Sequence, residues 1–142
     1  MSKYVQRLVN EWKQHDNIIV ALDFDDTISP WRLNDQESCN KVIEVLKDVK
    51  NVGAHLVVFT ACNDDRFEDI KAYCRSKDLY INTINQNPIN LPYGNQNKVY
   101  ANIFIDDRAG LNEALNILKE AMYIVRAYKA GKKLDNPGST EF

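Results

Sequence analysis

The 142-residue sequence is poor in the residues that usually staple or ligate. It holds three cysteines, two histidines, two methionines, four prolines and five glycines. Cys39, Cys62 and Cys74 are odd in number and have no CxxC spacing, which excludes a disulfide framework and points to the reducing cytosol. His15 and His55 are too far apart to form an i, i+4 zinc pair, so any metal chemistry must use oxygen ligands. Neither sign of charge dominates. Eighteen Lys and Arg face twenty Asp and Glu, for a net charge of −2. No basic footprint speaks for sequence-blind nucleic-acid binding, although a nucleotide stays open as a substrate. The longest apolar runs, 18–22 and 56–59, fall far short of the ~20 residues that cross a bilayer, so no membrane partner is expected. The first seventeen residues carry charges throughout and do not read as a secretory signal. The remaining composition, 44% hydrophobic and 27% charged, is that of an ordinary globular domain.

Apolar segments alternate in kind along the chain. Tyr4, Val5, Leu8, Val9 and Trp12 recur at helical spacing. Residues 17–23 (NIIVALD) are a β-branched run of the sort buried on both faces of a parallel sheet. Residues 35–50 predict a second helix, with Asn34 or Asp35 as its N-cap and Gly53 as its stop. Residues 54–60 (AHLVVFT) predict a second strand. Asp64 or Asp65 is expected to cap a third helix running to about Lys77. Residues 79–84 suggest a short strand, 85–97 a loop rich in Asn, Pro and Gly, and 101–106 (ANIFID) a last strand. A long helix follows from Leu111 through Val125. Gly131 and Pro137-Gly138 are expected to end it, leaving one domain over 1–130 and a flexible tail over 131–142. Strands alternating with helices predict an α/β fold, a three-layer, doubly wound parallel sheet. Ligands of such sheets bind beyond the carboxyl ends of the strands.

Those ends are acidic. The first strand runs into Asp23, Asp25, Asp26 and Thr27, the second into Thr60, the last into Asp106 and Asp107. Like charges ~4 Å apart repel by about 4 kcal/mol even at an effective dielectric near 20. Five carboxylates so gathered call for a cation, and an all-oxygen set favours Mg²⁺. A single Asp after a strand is more often a turn residue or a helix cap. Two strands each ending in an acidic group argue otherwise.

IIVALDFDDTI resembles the first motif of the haloacid dehalogenase superfamily, an apolar strand followed by DxDx(T/V). HLVVFTA resembles its second motif, Lys98 fills the place of its third, and ANIFIDDRAG resembles its fourth. The resemblance covers residues 17–110. It implies a Rossmann-type sheet with the first strand central, flanked by the second and last. It also implies a magnesium-dependent phosphatase. Asp23 would be the nucleophile and form an aspartyl-phosphate. Asp25 would be the general acid and then the base, its pKa lifted by neighbouring charge. Mg²⁺ would be held by Asp23, the Asp25 carbonyl and Asp106, with Asp107 direct or through water. Thr60 and Lys98 would hold the phosphoryl oxygens. Asp26, in the variable slot, and Thr27 read as turn-fixing residues, and Cys62 as an inert loop thiol.

The gaps at 28–52 and 61–97 are too short for an inserted cap domain. The expected rim is therefore open, suited to a large phosphorylated substrate or to a homo-oligomer whose neighbour closes it. Trp31, Arg32, Tyr93 and Arg108 are candidate substrate contacts. Phosphotransfer to another acceptor, or nucleic-acid end dephosphorylation, is an alternative within the same chemistry. A receiver-like phosphate-binding module is an alternative from a different class. Receivers, however, place their acidic pair after the first strand and their phosphorylated Asp alone after the third.

Overall fold

A computed structural model describes residues 1–88 and 100–135. Helix α1 (Lys3–His15) starts where the Ser2 hydroxyl accepts from the Val5 N–H at 3.2 Å. It buries Val5, Leu8, Val9 and Trp12, and Asp16 in the left-handed region ends it. Strand β1 (Ile18–Leu22) is buried at every position. Helix α2 (Gln36–Gly53) is capped by Asp35, whose carboxylate accepts from the Ser38 N–H at 2.8 Å. Of the two caps expected, Asp35 serves.

Gly53 sits at φ 131°, and a Cβ there would lie 2.8 Å from the Asp16 carbonyl oxygen. The crowding has a cause. Lys129 donates to the carbonyls of Asp16 and Val52, drawing the ends of α1 and α2 together under the last helix. Only glycine fits both the angle and the gap.

Strand β2 (Ala54–Val58) follows at once. The next segment departs from expectation. Asp64 and Asp65 do not cap a helix. They form, with Arg66, a 3₁₀ turn (Asp64–Arg66) that leads into α3 (Phe67–Ser76). Strand β3 is only Thr83–Ile84 and β4 only Ile103–Ile105. Asparagines shorten them. Asn82 bonds Leu56 through both its own N–H and its side-chain oxygen, and Asn102 bonds Ile19 in the same two ways. A side-chain amide thus takes over the partner that a further strand residue would supply. Helix α4 (Leu111–Asp135) runs through Gly131 instead of stopping there. A Cβ at Gly131 would meet nothing within 4 Å, so this glycine is an interior helical residue facing open space.

The sheet is all parallel, in the order β3-β2-β1-β4. With flanking helices it is a Rossmann-like α/β fold of the three-layer, doubly wound class, as the alternation predicts. Ile18, Val20, Leu22, Leu56, Val58 and Ile105 share one core with residues of all four helices, and α1 and α2 both pack on α4. The alternate positions Ile19, Ala21 and Val57 are buried as well. Both faces of the central strand are therefore out of water. No described helix is long and apolar enough to cross a membrane. The register sets Leu22 between Val58 and Ile105. One residue further, the chain leaves the sheet at Asp23 and Asp106, side by side where the strand order reverses.

Candidate active site and metal centre

Asp23 is still tied to the sheet, its N–H donating to the Ile105 carbonyl at 2.9 Å. The chain then turns sharply. The Phe24 carbonyl accepts from the N–H groups of Thr27, Ile28 and Ser29. This turn points Thr27, itself buried, back toward the strand ends. The Thr27 hydroxyl lies 3.4 Å from an Asp23 oxygen and 3.3 Å from an Asp107 oxygen, and accepts from the Asp107 N–H at 3.1 Å. Its single proton can serve only one carboxylate at a time. Asp23, Asp106 and Asp107 each place a carboxylate oxygen within 4.8 Å of the others.

No cationic side chain neutralises this trio among the described residues. The consequence falls on Asp23. Burial, the Asp106 charge and the contacts with Asp107 push its pKa from 3.8 to about 7, against a hydrogen bond from the Phe24 N–H that works the other way. Three half-buried carboxylates, oxygen ligands only, with charge unbalanced among them, fit a hard divalent cation such as Mg²⁺.

Asp25 is elsewhere in its charge environment. Its carboxylate is held by both Arg66 nitrogens, at 3.1 and 3.2 Å. The charge paired with Asp25 is thus a cation, Arg66. Arg66 also stands over the rings of Phe24 and Trp31, at 6.0 and 5.7 Å. Nothing in the sequence singles Arg66 out. It lies 41 residues from its partner, inside a segment that reads as the start of a helix.

Asp26 does fix the turn, and more firmly than its slot in the motif suggests. It is buried and left-handed, at φ 62°. Its carboxylate accepts from the backbone N–H groups of Trp31, Arg32, Leu33 and Asn34. Burial alone would raise its pKa; the four N–H bonds outweigh that and hold it below the usual carboxylate value. The Asn34 amide closes the loop by donating to the Asp26 carbonyl.

Thr60 is two residues past β2. Asn85 brackets its backbone, accepting from the Thr60 N–H and donating to the Thr60 carbonyl. The Thr60 hydroxyl accepts from the Cys62 N–H at 3.3 Å, which leaves its proton for another acceptor. Cys62 is a free, half-buried thiol. Lys98 and Tyr93 lie outside the described residues. A hollow of about 470 Å³ opens beside Asp23, Asp25 and Asp107, and its far wall is Trp31, Arg32 and Arg108. Three of the four candidate substrate contacts therefore border the acidic cluster.

No protein-family model matches the chain, and no curated protein matches it. Among solved structures, a conserved protein from Bacteroides thetaiotaomicron is similar over 73% of this chain and 91% of that one, at 24% identity and a TM-score of 0.59. At that identity the likeness shows the α/β fold alone.

Proposed function

We propose that the protein is a Mg²⁺-dependent phosphomonoester hydrolase of the haloacid dehalogenase type, acting through an aspartyl-phosphate on Asp23. One observation carries this reading. The ends of β1 and β4 gather three carboxylate oxygens within 4.8 Å, beside an open hollow, with no ion-paired side-chain cation on them among the described residues. Asp23, Asp106 and Asp107, with the Asp25 carbonyl, would hold the metal. When bound, Mg²⁺ would offset the crowded negative charge and polarise a phosphate drawn in beside it.

The chain's own groups then divide the work. A carboxylate oxygen of Asp23 attacks phosphorus in line, and the ester P–O bond opposite it breaks. Asp25 gives a proton to the departing oxygen. Water next attacks the phosphorus of the acyl phosphate and gives a proton to Asp25, the P–O bond to Asp23 breaks, and inorganic phosphate leaves with the Asp23 carboxylate restored. Arg66 holds both Asp25 oxygens at the rim with two parallel donors, so Asp25 must release at least one of them to carry the proton it donates. The Thr60 hydroxyl, with Lys98, is assigned to the phosphoryl oxygens. Thr27 keeps Asp23 and Asp107 in register through one shared hydroxyl.

Release of p-nitrophenol from p-nitrophenyl phosphate tests the reading. Many turnovers per protein are expected with Mg²⁺, at least a hundredfold fewer in EDTA, and recovery when Mg²⁺ is returned. A single phosphorylation without further turnover would favour a receiver-like module. No reaction with any phosphoester would favour an inactive scaffold on the same fold.

A further inference from the structure

The loop over residues 31–34 is held far more tightly than its packing requires. Four consecutive N–H groups converge on one buried carboxylate, Asp26, which itself accepts an unfavourable left-handed backbone. Yet the loop sends large apolar side chains outward: Trp31 is 59% exposed and Leu33 77%. A loop fixed in this way, without burying what it carries, is fixed to present those side chains. What it presents, Trp31 and Arg32, borders the hollow beside the acidic cluster, together with Arg108.

The arginines of this region behave differently from one another. Arg66 takes a carboxylate of the hollow, Asp25. Arg32 and Arg108 border the same hollow, and among the described residues neither is paired with a carboxylate. Arg32 lies against the Trp31 ring, 5.7 Å from its centroid, and the Arg108 backbone N–H is anchored on Asp106 at 2.9 Å. Two guanidinium forks that line the hollow, with no carboxylate partner among the described residues, match a planar or tetrahedral oxyanion. The hollow's volume falls within the range of small-ligand sites.

We propose that Arg32 and Arg108 form a second anion subsite, so that the preferred substrate is an organic phosphomonoester carrying another anionic group, carboxylate or phosphate, close to the ester, with Trp31 covering the atoms between. This rests on the phosphomonoesterase reading for its chemistry, but the subsite makes its own claim about binding. The claim runs against the local field, because five nearby carboxylates would otherwise disfavour any extra negative charge.

The probes are glycerol 3-phosphate and 3-phosphoglycerate, which share the phosphoester and differ by a carboxylate in place of a hydroxymethyl group. Calorimetric titration with Mg²⁺ in the Asp23→Asn background measures binding without turnover. The carboxylate compound is expected to bind at least tenfold more tightly. Adding Arg32→Gln and Arg108→Gln together should bring the ratio of the two dissociation constants to one or below. Because the ratio is taken within each protein, partial loss of folded material cancels. Equal binding of the two probes, or a preference that survives the double substitution, would overturn the subsite. p-Nitrophenyl phosphate turnover by the unsubstituted chain is measured in parallel. Its absence would end the phosphatase reading while the binding ratio still decides the subsite.

Discussion

Asp23→Asn is expected to remove phosphoester hydrolysis, by a factor on the order of 10⁴ or more, while leaving the fold in place. An amide oxygen is too weak a nucleophile to form the acyl phosphate, and no second carboxylate lies in the same position at the end of β1. Activity within a few-fold of the unsubstituted chain would remove Asp23 from its role. The same variant has a stability signature with a definite sign. The carboxyl of Asp23 binds its proton more tightly in the folded chain, with a pKa of about 7 against an ordinary 3.8. Its stabilising contribution is therefore fully present below the ordinary value and is lost as pH rises through the folded one. In EDTA, the melting temperature of the unsubstituted chain should fall between about pH 4 and 7 relative to that of Asp23→Asn. Scanning calorimetry of the two proteins across that range reads the difference directly. Parallel curves would mean that burial, with Asp106 and Asp107 beside it, does not hold the proton on Asp23.

The second large effect is expected at Asp25. Asp25→Asn removes proton donation and proton abstraction together, a loss of about 10²–10⁴ for ordinary alkyl phosphates. The loss should be smallest for p-nitrophenyl phosphate in the first step, because p-nitrophenolate departs without a proton. The comparison of the two substrates is what matters. An equal loss on both would mean that Asp25 only shapes the site, with its carboxylate serving as an anchor for Arg66. A larger loss on the alkyl ester places the proton transfer on Asp25. The substitution also removes the charge that Arg66 holds, so circular dichroism of the variant should accompany the rates.

Much of this arrangement is legible along the chain because it is local. The apolar run 18–22 needs no partner to read as a buried strand, and Asp35 caps α2 through a bond three residues away. Asp23, Asp25, Asp106 and Asp107 stand where strands end, and a parallel sheet turns that sequence fact into a spatial one. The strand order is another matter. It follows from the resemblance and not from periodicity, and the order in the fold, with β1 between β2 and β4, agrees with it. What the sequence does not disclose is long-range and polar. Arg66 reaches Asp25 across 41 residues, and Asn85 brackets Thr60 across 25. Neither pair has a spacing that pattern can detect. Apolar runs overstate strand length for a related reason. Apolar runs mark what is buried, whereas Asn82 and Asn102 decide where ladder pairing stops, by substituting side-chain amides for backbone. Gly131 misleads in the opposite way, since a glycine ends a helix only where the chain must turn, and here it does not.

The central claim is that oxygens from Asp23, Asp106 and Asp107 surround one divalent ion, with Asp23 aimed at phosphorus. The most direct measurement is a crystal grown with Mn²⁺ in place of Mg²⁺ and soaked in beryllofluoride, a mimic of an acyl phosphate. Anomalous density should show one ion ligated by Asp23 and Asp106, with Asp107 on it directly or through water, and the beryllium adduct on the remaining Asp23 oxygen. An ion bound elsewhere, or an adduct on Asp25 or Asp107 with Asp23 bare, would contradict the account.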